Sequence, residues 1–176
     1  MLDQKASERM AEPAVARFCS QCGARLVMQD ERGEARLACP APGCGYVHYD
    51  NPVPVVGVIV EIAGHVVLAR SHAWPEKMFG LMTGFLEAGE DPRACAVREV
   101  KEESGLDCEI THLVGLYAFE MQNQLIIVYH ATARGTPQPS DEIAEFKLVP
   151  REKLRPWPVG TGLGVEAWIA AGRRAS

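Results

Sequence analysis

The sequence predicts an α+β protein: a mixed sheet with two helices, preceded by a small cysteine-paired module. Three observations predict it. Runs of β-branched residues at Val55 to Ile62 and Leu125 to Ala133 have the length and composition of buried strands. Two helical patterns, one opening at Asp91 and one at Thr161, lie before and after the second run. Two close cysteine pairs, Cys19/Cys22 and Cys39/Cys44, precede all of these. The chain has 176 residues, 47% of them hydrophobic, enough for one good core with a small module attached. Three segments are expected: a flexible tail at 1–14, the cysteine module at 15–50 and the larger domain at 51–176.

In the first module, Cys22 and Cys44 each precede a glycine, which lets a tight knuckle present backbone amides to sulfur. Four thiolates suit tetrahedral Zn²⁺, and the spacing of the second pair is within the range of zinc ligands. Ala24 to Ala38 alternate enough to form a hairpin turning at Asp30 to Gly33. The segment resembles a zinc ribbon. A module this small has too little core to fold without such a staple. Four thiolates leave no open position for water, so the zinc is expected to be structural. The competing readings are free thiols, a redox pair at Cys19/Cys22, and His48 as a substitute ligand.

Asp50-Asn51-Pro52-Val53-Pro54 reads as a linker. Val55 to Ile62 then turns at Ala63-Gly64-His65, and Val66 to Arg70 returns as its hairpin partner. Leu81 to Phe85 leads into the next motif, with Gly84 opening a turn into the helix. Cys108 to Tyr117 forms a strand, and Phe119 to Gln124 a polar hairpin-like connection. Asp141 to Leu148 is a loop entering the last strand. The closing amphipathic helix, Thr161 to Ala171, packs through Leu163, Val165, Trp168 and Ile169.

The first helix carries the chemistry. Asp91 caps it, Pro92 suits its first turn and Gly105 its C-terminus. Glu99, Glu102 and Glu103 stand at i, i+3 and i+4 and share a face. Arg98 and Lys101 cannot neutralise all three. Hard divalent cations such as Mg²⁺ take oxygen ligands of this kind and bind phosphates at the same time. Glu87 and Glu90 in the preceding loop can add oxygens. The alternative is a merely charged, solvated helix face.

The full spacing decides between them. Gly84, five residues, Glu90, seven residues, Arg98-Glu99-Val100-Lys101-Glu102-Glu103-Ser104-Gly105-Leu106 resembles the Nudix box at every defined position. The resemblance implies the Nudix α/β/α sandwich and hydrolysis of a nucleoside diphosphate derivative. It implies Glu99, Glu102 and Glu103 as ligands of Mg²⁺ or Mn²⁺, with the Gly84 carbonyl and Glu87 as weaker ligands. Arg98 would orient the glutamates. Glu102 or Glu103 could act as the general base, or Glu120, Glu142 or Glu145 from a loop, with Glu142 preferred.

A zinc ribbon ahead of this domain resembles the bacterial NADH diphosphatase group, over about residues 18–172. That group carries Ser-Gln-Pro-Trp-Pro-Phe-Pro after the box, where this chain has Leu116-Tyr-Ala-Phe-Glu-Met-Gln122. The resemblance therefore leaves NADH or NAD, FAD and ADP-ribose as substrates, with a homodimer as the assembly. A nucleotide sensor that binds without cleaving, and a nucleic-acid-binding protein acting through its ribbon, are the alternatives from other classes.

Net charge is −5, from 18 basic and 23 acidic residues, which disfavours broad nucleic-acid binding and leaves a capped RNA end as the exception. No run is long and apolar enough to span a bilayer, and the first residues lack a signal peptide's apolar stretch. A cytoplasmic protein without membrane partners is expected.

Overall fold

The computed structural model describes residues 16–174; the expected tail at 1–14 lies outside them. The chain divides into two compact units between Asn51 and Pro52.

The first unit is a three-stranded antiparallel sheet. β1 (Val27–Glu31) and β2 (Glu34–Ala38) form the expected hairpin, and β3 (Val47–His48) adds a short third strand that the sequence did not announce. Arg32 and Gly33 make the turn with positive φ, and Gly33 N–H donates to the Asp30 side chain. The buried apolar set is small: Cys19, Leu26 and Cys39, with partly buried neighbours. Arg36 is engaged by Glu34 and lies over the Tyr49 ring.

The second unit is a six-stranded mixed sheet between two helices. β4 (Val53–Ile62) is central. It pairs with β5 (His65–Ser71) and β6 (Met82–Phe85) on one side and with β8 (Gln124–Ala133) on the other. β7 (Cys108–Phe119) and β9 (Ile143–Pro150) are the edges. β4 and β8 run parallel, in register from Val53 opposite Gln124 to Glu61 opposite Thr132. Strands covered on both faces read as continuous apolar runs, which is why these two were so visible in the sequence.

α1 (Pro92–Ser104) covers one face, where Cys95, Ala96 and Val100 pack on Val56, Val58, Val60 and Met82. α2 (Gly162–Arg174) covers the other, where Val165 and Trp168 pack on Ile59, Leu68 and Val128. Fully burying one such aliphatic side chain contributes about 1.5–3 kcal/mol. The α1 caps are as expected: Asp91 accepts from the Arg93 and Ala94 N–H groups, and Gly105 ends the helix with φ 70°.

Two expectations need correction. The linker ends earlier than read, because Val53 already belongs to β4; its N–H donates to the Asn123 carbonyl at 2.8 Å. Gly84 does not open a turn. It sits inside β6, opposite Val56, and the loop to α1 starts after Phe85.

Candidate active site

α1 presents its carboxylates where β6 ends, and one arginine organises them. Arg98 Nε and Nη2 donate to the two oxygens of Glu90, at 2.8 and 2.9 Å. Its Nη1 donates to Glu99 Oε1 at 2.7 Å and to Glu102 Oε2 at 3.1 Å. Nη2 also reaches the Phe85 carbonyl and the Cys95 sulfur, both at 3.3 Å. The planar fork thus joins the loop, the end of β6 and two glutamates of the helix, as a guanidinium suits and an ammonium does not. Glu90 is therefore committed to Arg98, and is not one more open oxygen on the glutamate face. That bidentate pair, with a further bond from Glu87 N–H, holds its carboxyl down at about 2.

Gly84 owes its place to Glu99. A Cβ at Gly84 would stand 1.7 Å from the Glu99 carboxyl carbon. The missing side chain is the space in which that carboxylate lies. The physical reason for this glycine is close approach and not the turn geometry that the sequence predicts.

Glu103 turns inward and accepts the Thr83 N–H at 3.4 Å. Burial, against that bond, pushes its carboxyl up to about 8, and the charges of Glu99, Glu142 and Glu102 add to the rise. Burial also raises Glu99, against Arg98 and with Glu102 and Glu142. Glu142 thus stands close enough for its charge to act on both. It lies in the bend before β9, where its carbonyl accepts the His72 N–H. Glu145 is held differently: Arg70 Nε donates to it at 2.7 Å. Glu120 lies in a short 3-10 turn between β7 and β8, Glu120–Gln122. Glu87 is exposed in the loop, its peptide group bonded to Glu90.

Crowded carboxylates that raise one another form a donor set that a hard divalent cation relieves, so their chemistry fits one. Their oxygens are not gathered tightly, however. Among the described residues, the one group of three or more ligand atoms within 4.8 Å of one another is Cys19, Cys22, Cys39 and Cys44. Glu99 and Glu102 are paired on Arg98 Nη1, while Glu103 accepts the Thr83 amide. The Thr83 amide was not legible beforehand, because a backbone donor leaves no residue signature.

The cysteine cluster fits zinc by distance. Sγ atoms are 3.6 Å apart for Cys19 and Cys44 and 3.5 Å for Cys22 and Cys39. Bonds of about 2.3 Å to a tetrahedral ion place sulfurs roughly 3.8 Å apart. Gly23 and Gly45 take positive φ, 75° and 66°, as the knuckles require. Burial opposes ionisation of Cys19, yet backbone amides of Cys22 and Gln21 bring its thiol down to about 7. Cys39 is pushed up to about 12: a bond from the Ala41 amide is outweighed by burial and the neighbouring thiols. Four thiols this close cannot all lose their protons without a cation among them. His48 is not in the cluster; its Nε2 lies 3.7 Å from Asp50.

Comparison with known proteins identifies the family of both units. The NUDIX domain model matches residues 51–164, and the Nudix N-terminal zinc-ribbon model matches residues 17–50. The chain belongs to the Nudix family, with the N-terminal zinc ribbon found in part of it. A Pseudomonas aeruginosa protein named NAD-capped RNA hydrolase NudC is 33% identical over 145 residues, covering 81% of this chain and 50% of that protein. A Mycobacterium tuberculosis protein of the same name is 38% identical over 120 residues, covering 65% of this chain and 38% of that protein. The chain thus spans half or less of the length of these relatives. A NUDIX hydrolase structure from Nitrosomonas europaea superimposes with a TM-score of 0.72 at 26% identity, covering 89% of this chain and 93% of that one. An ADP-ribose pyrophosphatase from Streptococcus suis shares the fold, with a TM-score of 0.58 at 19% identity over 70% of this chain and 93% of that one. No helix among the described residues is long and apolar enough to cross a membrane.

Proposed function

We propose that the protein hydrolyses the diphosphate linkage of a nucleoside diphosphate derivative, with a dinucleotide or nucleotide sugar of the NADH/NAD, FAD or ADP-ribose type as substrate. The observation that carries the reading is the Arg98-organised carboxylate set facing the side-chain-free Gly84. Glu99, Glu102, Glu103 and the Gly84 carbonyl would hold Mg²⁺ or Mn²⁺, with Glu87 adding an oxygen. When bound, such a cation neutralises diphosphate oxygens and lowers the pKa of water.

The chain's own residues do the rest. Arg98 fixes Glu99 and Glu102 against their mutual repulsion. The Thr83 amide fixes Glu103. Glu142 takes the proton of the attacking water as oxygen bonds to phosphorus in line, and a nucleoside monophosphate leaves with the bridging oxygen. Its exposure, and the effect of its charge on Glu99 and Glu103, support this role over Glu145, which is tied to Arg70. The zinc is structural.

The element that replaces the Ser-Gln-Pro-Trp-Pro-Phe-Pro motif is the end of β7 and a tight turn closing at Asn123, φ 48°. Recognition of the substrate therefore differs from that of NADH diphosphatases. A capped RNA end is a larger form of the same substrate, a homodimer the assembly and the cytoplasm the compartment.

The test is a hydrolysis panel with Mg²⁺ or Mn²⁺: NADH, NAD⁺, NAD-capped RNA, FAD, ADP-ribose, diadenosine polyphosphates and nucleoside triphosphates. One dinucleotide or nucleotide sugar is cleaved preferentially, and Glu103→Gln lowers its turnover about 10- to 100-fold. Absence of cleavage by folded protein with the cation bound would replace this reading with that of a nucleotide sensor.

A further inference from the structure

The sheet face under α2 carries a polar network that the proposed chemistry does not use. It lies at the Glu61 end of β4, whereas Gly84 pairs with Val56 nearer that strand's start. Its hub is His130 on β8, only 8% exposed. His130 Nε2 lies 3.2 Å from Glu61 Oε2, and Nδ1 lies 2.7 Å from Thr111 Oγ1. A bulge between Ile110 and His112 directs Thr111 to this place. The same hydroxyl is 2.9 Å from His112 Nδ1 and 3.1 Å from the His130 carbonyl oxygen.

With His112 as the tautomer whose Nδ1–H donates to the hydroxyl, Thr111 has one proton to give and two acceptors for it, His130 Nδ1 and the His130 carbonyl. With His130 neutral and its Nε2–H on Glu61, the hydroxyl donates to the bare Nδ1. With His130 charged, Nδ1–H donates to the hydroxyl, whose proton turns to the His130 carbonyl. Hydrogen bonding is complete in both states, so titration leaves no orphaned group. Charge alone distinguishes them.

The imidazole also seats the C-terminal helix. It stacks on Trp168 of α2 with centroids 5.1 Å apart and planes 23° apart. The Arg151 guanidinium lies 4.3 Å over the same indole and 3.9 Å from Glu61. Trp168 itself is 4% exposed.

We propose that this network is a proton-operated latch on α2, closed by neutral His130 and loosened by its protonation. A charged His130 competes with Arg151 for Glu61 and repels the guanidinium, the second group holding Trp168. The groups facing His130 are Glu61 from β4, Thr111 and His112 from β7, and Arg151 from the turn after β9. α2 contributes Trp168, while its Glu166 is exposed. Burial holds the imidazole below its ordinary 6.5; Glu61 pulls it up, and His112 and Arg151 push it down. The proton is thus taken up more readily once α2 has lifted, and release is favoured as pH falls through about 6.5.

Hydrogen exchange on the full chain tests this, at about pH 7.5 and about pH 5.5 with intrinsic rates corrected. Opening of the α2 amides rises several-fold at the lower pH relative to β4 and β8 amides, and His130→Gln abolishes that rise. Equal changes in α2 and in the strands, or an unchanged acid response in His130→Gln, would overturn the latch. If His130→Gln does not fold, imidazole NMR of the unaltered protein decides. An Nε2–H tautomer titrating below 6.5 upholds it, and titration at or above 6.5 sinks it. None of these readouts depends on hydrolysis, so the latch and the proposed activity stand or fall separately.

Discussion

In the ribbon, four sulfur atoms stand within 4.8 Å of one another; on α1, Glu99 and Glu102 share Arg98 Nη1 while Glu103 accepts the Thr83 amide. The ribbon's four cysteines come from two knuckles with little core around them, so in the proposed reading a bound ion holds them together. The glutamates stand on a helix packed against a large sheet, and their places are set without an ion. The difference separates two uses of a metal. A structural site is closed around its ion. In the proposed reading, the α1 site receives a phosphate, with ligands held by other partners.

The largest expected effect would break the contrast on the ribbon side. Chelation, or Cys39→Ser, should collapse the ribbon while residues 52–174 keep their structure. Zinc contributes about 10–16 kcal/mol to comparable small modules. Amide NMR spectra read this directly, and a ribbon that stayed dispersed without metal would show that its core suffices.

A smaller effect sharpens the other side. Gly84→Ala places a methyl group on the Glu99 carboxylate, the movable end of a long side chain. Unfolding free energy should change by less than about 1 kcal/mol. Turnover should fall about 10- to 100-fold, with weaker activation by Mg²⁺. Equal loss of stability and activity would mean that Gly84 serves the strand and not the site.

The smallest effect concerns acid. Glu90 is held at about 2 instead of 4.5, so its pair with Arg98 stabilises the fold fully above about pH 4.5. That contribution declines as pH falls from 4.5 towards 2. Glu90→Gln should lose it at neutral pH and show a shallower acid decline in urea midpoints. Identical acid profiles would place the pair outside the stability of the fold.

Much of this was legible in residue order because it is periodic or contiguous. The buried strands, the capped acidic helix, the paired cysteines with their knuckle glycines and the spacing from Gly84 to Leu106 are local patterns. Local sterics and hydrogen bonding fix such patterns within a few residues. The tertiary structure alone decided the rest. It committed Glu90 to Arg98, tied Glu145 to Arg70, and brought the Glu142 charge towards Glu99 and Glu103. It gave Gly84 its reason and gathered Glu61, His130, Arg151 and Trp168 into one network. Those relations join residues far apart in the chain, and the distance between such side chains is set by how strands register and helices pack, which no local pattern encodes.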